Sequence, residues 1–102
     1  MIVRTWKGRV KPGKGREYVT FLEKEIFPQI SALPGSLGAR VLRRVEGSGE
    51  EYLVMSEWRD LESVRAFADD DLGVAVVEPE AQALLAEYDG RVAHYEVVLQ
   101  AE

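Results

Sequence analysis

An imidazole, a guanidinium and a set of aromatic rings are the groups through which this chain could do chemistry. His94, in the stretch RVAHYEVVL, is the only histidine, so it is the one side chain whose ordinary pKa suits it to drawing off a proton near neutral pH. Glu96 follows two residues later on the same strand face, where a carboxylate could hold the ring or raise its pKa. Arg4 and Trp6 share one face of MIVRTWKGRV in the same way. An indole can stack on a planar aromatic molecule, and a guanidinium can stabilise an anion as it develops. Trp58 and Phe67 could complete an aromatic lining. Each residue also has a plainer reading. A strand histidine can simply be hydrogen-bonded in a sheet or at a subunit contact. Trp6 can be a core residue whose neighbour Arg4 reaches solvent or an acidic partner, and Trp58 a hydrophobic lid where strand becomes helix. Burying an arginine beside a tryptophan is costly without a purpose, however.

The elements that must position these residues follow from hydrophobic period. Ile2 to Val10 reads as a strand, broken by KPGKG. Tyr18, Phe21, Leu22, Ile26 and Ile30 recur at three- and four-residue spacing and line one helix face, with Pro28 bending the last turns and LPGSLG ending them. Gly38–Val45 and Tyr52–Trp58 read as an antiparallel hairpin around EGSGE. Asp60 is the expected N-cap of a second helix in which Leu61, Val64, Arg65 and Ala68 share a side, terminated by Asp69, Asp70, Asp71 and Gly73. A further helical piece is expected from Pro79 through Tyr88, stopped by Asp89 and Gly90. The last strand is Arg91–Leu99. The sum is an α+β, ferredoxin-like βαββαβ arrangement with a four-stranded antiparallel sheet. A chain of 102 residues is expected to form a single domain spanning residues 1–102. Strands of both parities carry apolar residues, so the sheet face away from the helices needs a cover. Another copy of the chain is the expected one, giving a homodimer through that face.

Composition excludes several classes. With no cysteine and one histidine, disulfides, thiolate chemistry and a protein-built metal site are not expected. A net charge of −5 argues against nucleic acid as a partner, since Arg40, Arg43 and Arg44 have Glu46, Glu50 and Glu51 nearby to offset them. No apolar run approaches the length of a membrane span and no signal peptide is visible, so a soluble, cytoplasmic protein is expected. The absence of Asn, with abundant Arg and Glu, resembles thermophile usage. KPGKG lacks the spacing of a phosphate loop, the DDD of residues 69–71 lacks that of a calcium loop, and the serines lack a nucleophile-elbow pattern.

The segment YLVMSEWRDLESVRAFADDD resembles the signature region of the antibiotic biosynthesis monooxygenase domains, and LPGSLGARVLRR and HYEVV are similar to a subgroup of them. The resemblance implies a dimeric α/β-barrel with a pocket in each protomer between the sheet and the later helices. It also implies two known chemistries. Some such domains use molecular oxygen without flavin, metal or haem on polycyclic anthrones or quinols, and others bind and degrade haem. The haem-degrading members use an Asn on the first strand, a Trp on the second helix and a His on the next. Counted without gaps, Trp6, Phe67 and the neighbourhood of Val77 stand at those places, which disfavours haem degradation. The resemblance therefore implies a monooxygenase needing no cofactor, acting on a small aromatic, phenolic or quinol-type molecule. His94 would be the base and Arg4 the anion stabiliser, with Trp6, Trp58, Phe67 and Glu96 around the substrate. The competing expectations are a dimer that binds small molecules or is structural without catalysis, and a proton-transfer isomerase or lyase.

Overall fold

The structure, a computed structural model, describes residues 1–68 and 71–102. Strand β1 (Ile2–Val10) is followed by α1 (Gly15–Phe21), a π-helical stretch (Leu22–Ile26), α2 (Phe27–Ser31), β2 (Ser36–Glu46), β3 (Gly49–Trp58), α3 (Leu61–Val64), α4 (Pro79–Leu84), β4 (Leu85–Tyr88) and β5 (Ala93–Glu96). The expected α+β, ferredoxin-like arrangement is present, with β1 at its centre. β3 lies antiparallel along one side of β1 over the full register from Ile2↔Trp58 to Arg9↔Glu51, and β2 lies outside β3. The other side of β1 is shared: β5 pairs Ile2–Thr5, and β4 pairs Gly8–Val10.

That shared edge departs from expectation. The third helix stops at Leu84 instead of Tyr88, and Leu85 turns to extended geometry with φ −97° and ψ 135°. Leu85 then sits opposite Val10, buried in the core. Leu84 and Leu85 satisfy a helical and an extended pattern equally, and the free edge of β1 decides between them. The sheet thus has five strands where four were expected.

The first helix is interrupted rather than merely bent. Pro28 carries no N–H and its ring crowds the carbonyl four residues back. The ladder widens just before it, and the Phe27 N–H reaches back five residues to the Leu22 carbonyl. The extra residue in this turn keeps both Leu22 and Ile30 in the core. The hairpin turns on Gly47 and Ser48, with Gly47 at φ 62° in the position that a type II′ turn reserves for glycine. Asp60 caps α3, its Oδ1 accepting from the Ser63 N–H at 2.9 Å. α3 itself is one turn long, however, so Val64, Phe67 and Ala68 pack inward while Leu61 and Arg65 face solvent. The expected stop at Asp69 and Asp70 lies outside the described residues.

Even-numbered β1 residues and their partners Tyr52, Val54, Ser56 and Trp58 face the helices. One core cluster gathers Val10, Tyr18, Leu22, Tyr52, Ala81 and Leu85, and a second gathers Ile30, Trp58 and Val64. The opposite face carries Val3, Thr5, Leu42, Leu53, Met55 and Tyr95 by alternation, with Leu42 and Tyr95 exposed. Two of the three hairpin arginines are offset as expected, Arg43 Nε donating to Glu50 at 2.6 Å and Arg44 pairing with Glu51 and Glu46, while Arg40 makes no ion pair among the described residues.

Gly15 is set by close approach. A Cβ there would overlap the Tyr52 hydroxyl, which donates to Glu50 at 3.0 Å. Gly15→Ala is therefore expected to destabilise the fold by about 1–3 kcal/mol, as overpacking does. In a Tyr52→Phe background, without the hydroxyl, the added loss should shrink. Denaturant midpoints of the four proteins check this.

Candidate active site

Between the two core clusters lies a partly open, mostly apolar cavity of about 60 Å³. Trp6, Val54 and Ser56 form its floor on the sheet, Tyr18, Phe21, Leu22, Ile26 and Ile30 one wall, and Phe67, Val76, Val77 and Ala81 the roof. Arg4 and Glu78 bring charge to its boundary. At about 10–15 Å³ per water-sized centre, the space admits a few small groups. Pockets that enclose a whole organic ligand run to about 300–1,000 Å³.

Arg4 is the anomaly of the site. It stands mid-strand and is 4% exposed, and every partner it has among the described residues is neutral. Nη1 donates to the Leu72 carbonyl at 2.8 Å and to His94 Nε2 at 2.9 Å, and Nη2 donates to the Val74 carbonyl at 3.3 Å. The guanidinium also lies 5.8 Å from the centre of the Phe67 ring. Burial lowers its pKa from the ordinary value, but an arginine stays charged at any physiological pH.

The roof is held where it is by this side chain and by a second set of contacts. Arg91 makes two hydrogen bonds to Asp71, at 3.1 and 3.2 Å. The Val92 N–H donates to the Gly73 carbonyl at 2.8 Å and the Ala75 N–H to the Gly90 carbonyl at 3.0 Å. The break between β4 and β5 is thereby filled by residues 73–75. It also supplies the Asp89 carbonyl that accepts from Trp6 Nε1 at 2.6 Å, while Tyr88 leans on the indole with ring centres 5.9 Å apart.

His94 lies directly across β5 from Arg4 in the strand register. Arginine offers only donors, so the 2.9 Å contact makes Nε2 the acceptor and places the ring proton of a neutral imidazole on Nδ1. Burial first, and the Arg4 charge second, lower the His94 pKa. Of the residues singled out in the sequence, the structure brings Arg4, Trp6 and Phe67 to the cavity and sets His94 behind Arg4. It does not bring Trp58 or Glu96. Trp58 is fully buried within the second cluster and reaches the cavity through its neighbours, its Nε1 donating to Ser56 Oγ at 2.9 Å and its ring leaning on Phe67 at 6.1 Å between ring centres. Glu96 is exposed opposite Ile2.

Sequence reasoning passed over Ser56, Glu78 and the two roof carbonyls. Ser56 had a signal, since it shares strand parity with the buried Tyr52, Val54 and Trp58. The carbonyls of Leu72 and Val74 had none, because a backbone acceptor carries no residue type.

The site does not fit haem. The neighbourhood of Val77 offers no imidazole, the one histidine has its Nε2 committed to Arg4, and the cavity of about 60 Å³ is far below the volume of the macrocycle. Among the described residues no cluster of His, Asp or Glu is arranged to hold a metal ion, and no helix is long and apolar enough to cross a membrane.

The sequence profile of the antibiotic biosynthesis monooxygenase family matches residues 1–79. No curated protein matches the sequence. Among solved structures, the heme-degrader MhuD of Mycobacterium tuberculosis, with two hemes bound in its active site, superposes with a TM-score of 0.69 at 23% identity over 100% of both chains. An antibiotic biosynthesis monooxygenase-type protein of Bacillus cereus gives 0.70 at 23% identity, over 100% of this chain and 95% of that one. SnoaB, a cofactor-independent oxygenase of Streptomyces nogalater, gives 0.70 at 14% identity over 97% and 94%. At these identities the likeness is one of fold.

The His94 geometry has a consequence for stability. A histidine whose folded pKa lies below its unfolded value of about 6.5 contributes stability that is fully present above that pH. The contribution is lost as pH falls through the lowered folded value, because the unfolded chain binds the proton first. The carboxylates held low by partners, Glu50, Glu51, Asp60 and Asp71, titrate in a more acid range. Stability measured by urea unfolding should therefore decline between about pH 7 and 5 in the wild type, and the slope should flatten in His94→Gln.

Proposed function

The chain belongs to the antibiotic biosynthesis monooxygenase family, and on that premise we propose that it is a monooxygenase needing no cofactor, acting on a small phenolic or quinol-type molecule bound against Arg4, Trp6 and Phe67. The observation that carries the proposal is a buried guanidinium with neutral partners at the edge of an apolar, aromatic cavity. A positive charge in such a place favours an anion by more than it would in water. A phenol or activated carbon acid bound beside Arg4 ionises more readily, and the electron-rich anion is the species able to reduce oxygen. One oxygen atom enters the substrate and the other leaves as water, the substrate supplying all four electrons, so no external reductant is needed. Trp6 and Phe67 provide faces for a planar ring. Admitting that ring requires residues 72–77, which carry the roof side chains Val76 and Val77, to lift from their tethers. His94 enters through Arg4: its Nε2 is occupied, so it can accept a proton only after that bond is released.

The same reading covers the second sheet face with another copy of the chain. Leu42, Leu53, Met55, Val3 and Tyr95 form an apolar strip that a homodimer would bury, and the relatives' family is one of dimeric barrels.

Oxygen uptake with a chelator present, against a panel of anthrones and hydroquinones, tests the catalytic reading. The wild type is expected to exceed the uncatalysed rate, and Arg4→Gln to lose about 100-fold in kcat, the scale of removing one anion-stabilising donor. Wild-type uptake no faster than the uncatalysed rate would instead favour a binding module. For the assembly, light scattering should give twice the mass of the chain, and Leu53→Arg, on the open face, should give a monomer of unchanged helix content.

A further inference from the structure

We propose that His94 is the positioning residue of Arg4, an acceptor that aims the guanidinium's free edge at the bound anion, rather than the base of the reaction. The inference rests on Arg4 as the anion-binding group. A guanidinium carries five N–H donors. Nη1 spends both of its donors on Leu72 and His94, and Nη2 spends one on Val74. The Nε–H and the remaining Nη2 N–H have no protein acceptor among the described residues. Nε and Nη2 lie on one edge of the planar group, the edge through which a guanidinium meets an oxyanion with two parallel hydrogen bonds.

Three acceptors on two segments fix that edge. Leu72 and Val74 belong to the roof, which must lift for a substrate to enter. His94 belongs to the sheet, beside Arg4 in the register, and stays when the roof moves. It is therefore the acceptor that keeps the fork aimed while the site is open. The same lone pair cannot both accept from Arg4 and accept a substrate proton. Of the charged groups near it, Arg4 faces the ring from β1, Arg91 is engaged by Asp71, Glu78 lies on the cavity wall, and Glu96 is exposed on its own strand. A protonated ring would lose its acceptor and set one cation against another, so the device works with the imidazole neutral.

Because the chain has one histidine, 15N labelling of histidine gives a single pair of ring nitrogens. At neutral pH the proton is expected on Nδ1, and Arg4→Met should release the ring to the ordinary mixture of tautomers. A proton found on Nε2 would overturn the assignment. The second arm uses 4-nitrophenolate, followed by its absorbance, together with oxygen uptake. His94→Leu should weaken both by about tenfold or more. His94→Gln, whose amide oxygen can accept from Arg4 but cannot serve as a base, should recover most of the loss. A glutamine variant as impaired as the leucine one would overturn positioning in favour of base catalysis. If the wild type neither binds 4-nitrophenolate nor consumes oxygen, the anion-binding role of Arg4 fails and positioning for an anion fails with it. The ring-nitrogen spectrum would still report whether His94 holds Arg4, which keeps the two failures apart.

Discussion

A charged group taken out of water must have its hydrogen bonds made elsewhere, and the burial of Arg4 imposes that demand on everything around it. The penalty for such a group is several kcal/mol even after the protein relaxes. Here it is offset by two main-chain carbonyls and an imidazole. Those acceptors come from the segment after α3 and from β5, so satisfying one side chain joins the central strand, the edge strand and the roof. The aromatic neighbour Phe67 adds a face to the same cation. Without the guanidinium the roof would keep the Asp71–Arg91 pair and the hydrogen bonds to residues 90 and 92, but it would lose its attachment to β1.

The parts of this arrangement that alternate or recur were readable in the chain. Parity in β1 and β3 separates Arg4, Trp6 and Trp58 from Val3, Thr5 and Leu53, and the structure keeps that division. Asp60 caps its helix because its type and place both say so. What could not be read was decided at a distance. Leu85 is extended because β1 has an edge to fill. α3 ends after one turn, and the chain then turns inward at Phe67. The Arg4 partners at residues 72 and 74 are backbone atoms of a segment with no pattern of its own. Trp58 and Glu96 illustrate the limit from the other side. Residue type alone placed them near a ligand, whereas packing put one in the core and left the other in solvent.

Trp6, Phe67 and Val77 converge on one cavity. The side chains that meet there are an indole, a phenyl ring and an aliphatic group. The charge at the sheet side of that cavity comes from Arg4, two residues before Trp6 on the same strand and on the same face. A fold of this kind fixes where chemistry can occur and leaves its character to a few substitutions.

The division of the outer edge into β4 and β5 bears on how the molecule meets others of its kind. An uninterrupted edge strand is a row of unpaired amides and carbonyls, open to addition by any extended chain. Here that row is cut between Tyr88 and Ala93, and residues 73–75 already take part of the hydrogen bonding in the gap. At the opposite edge, β2 ends in Arg43, Arg44 and Glu46, all in ion pairs. Growth of the sheet sideways into a fibre is thus blunted at both margins, and the apolar residues left exposed, Leu42 and Tyr95 among them, lie across the face of the strands.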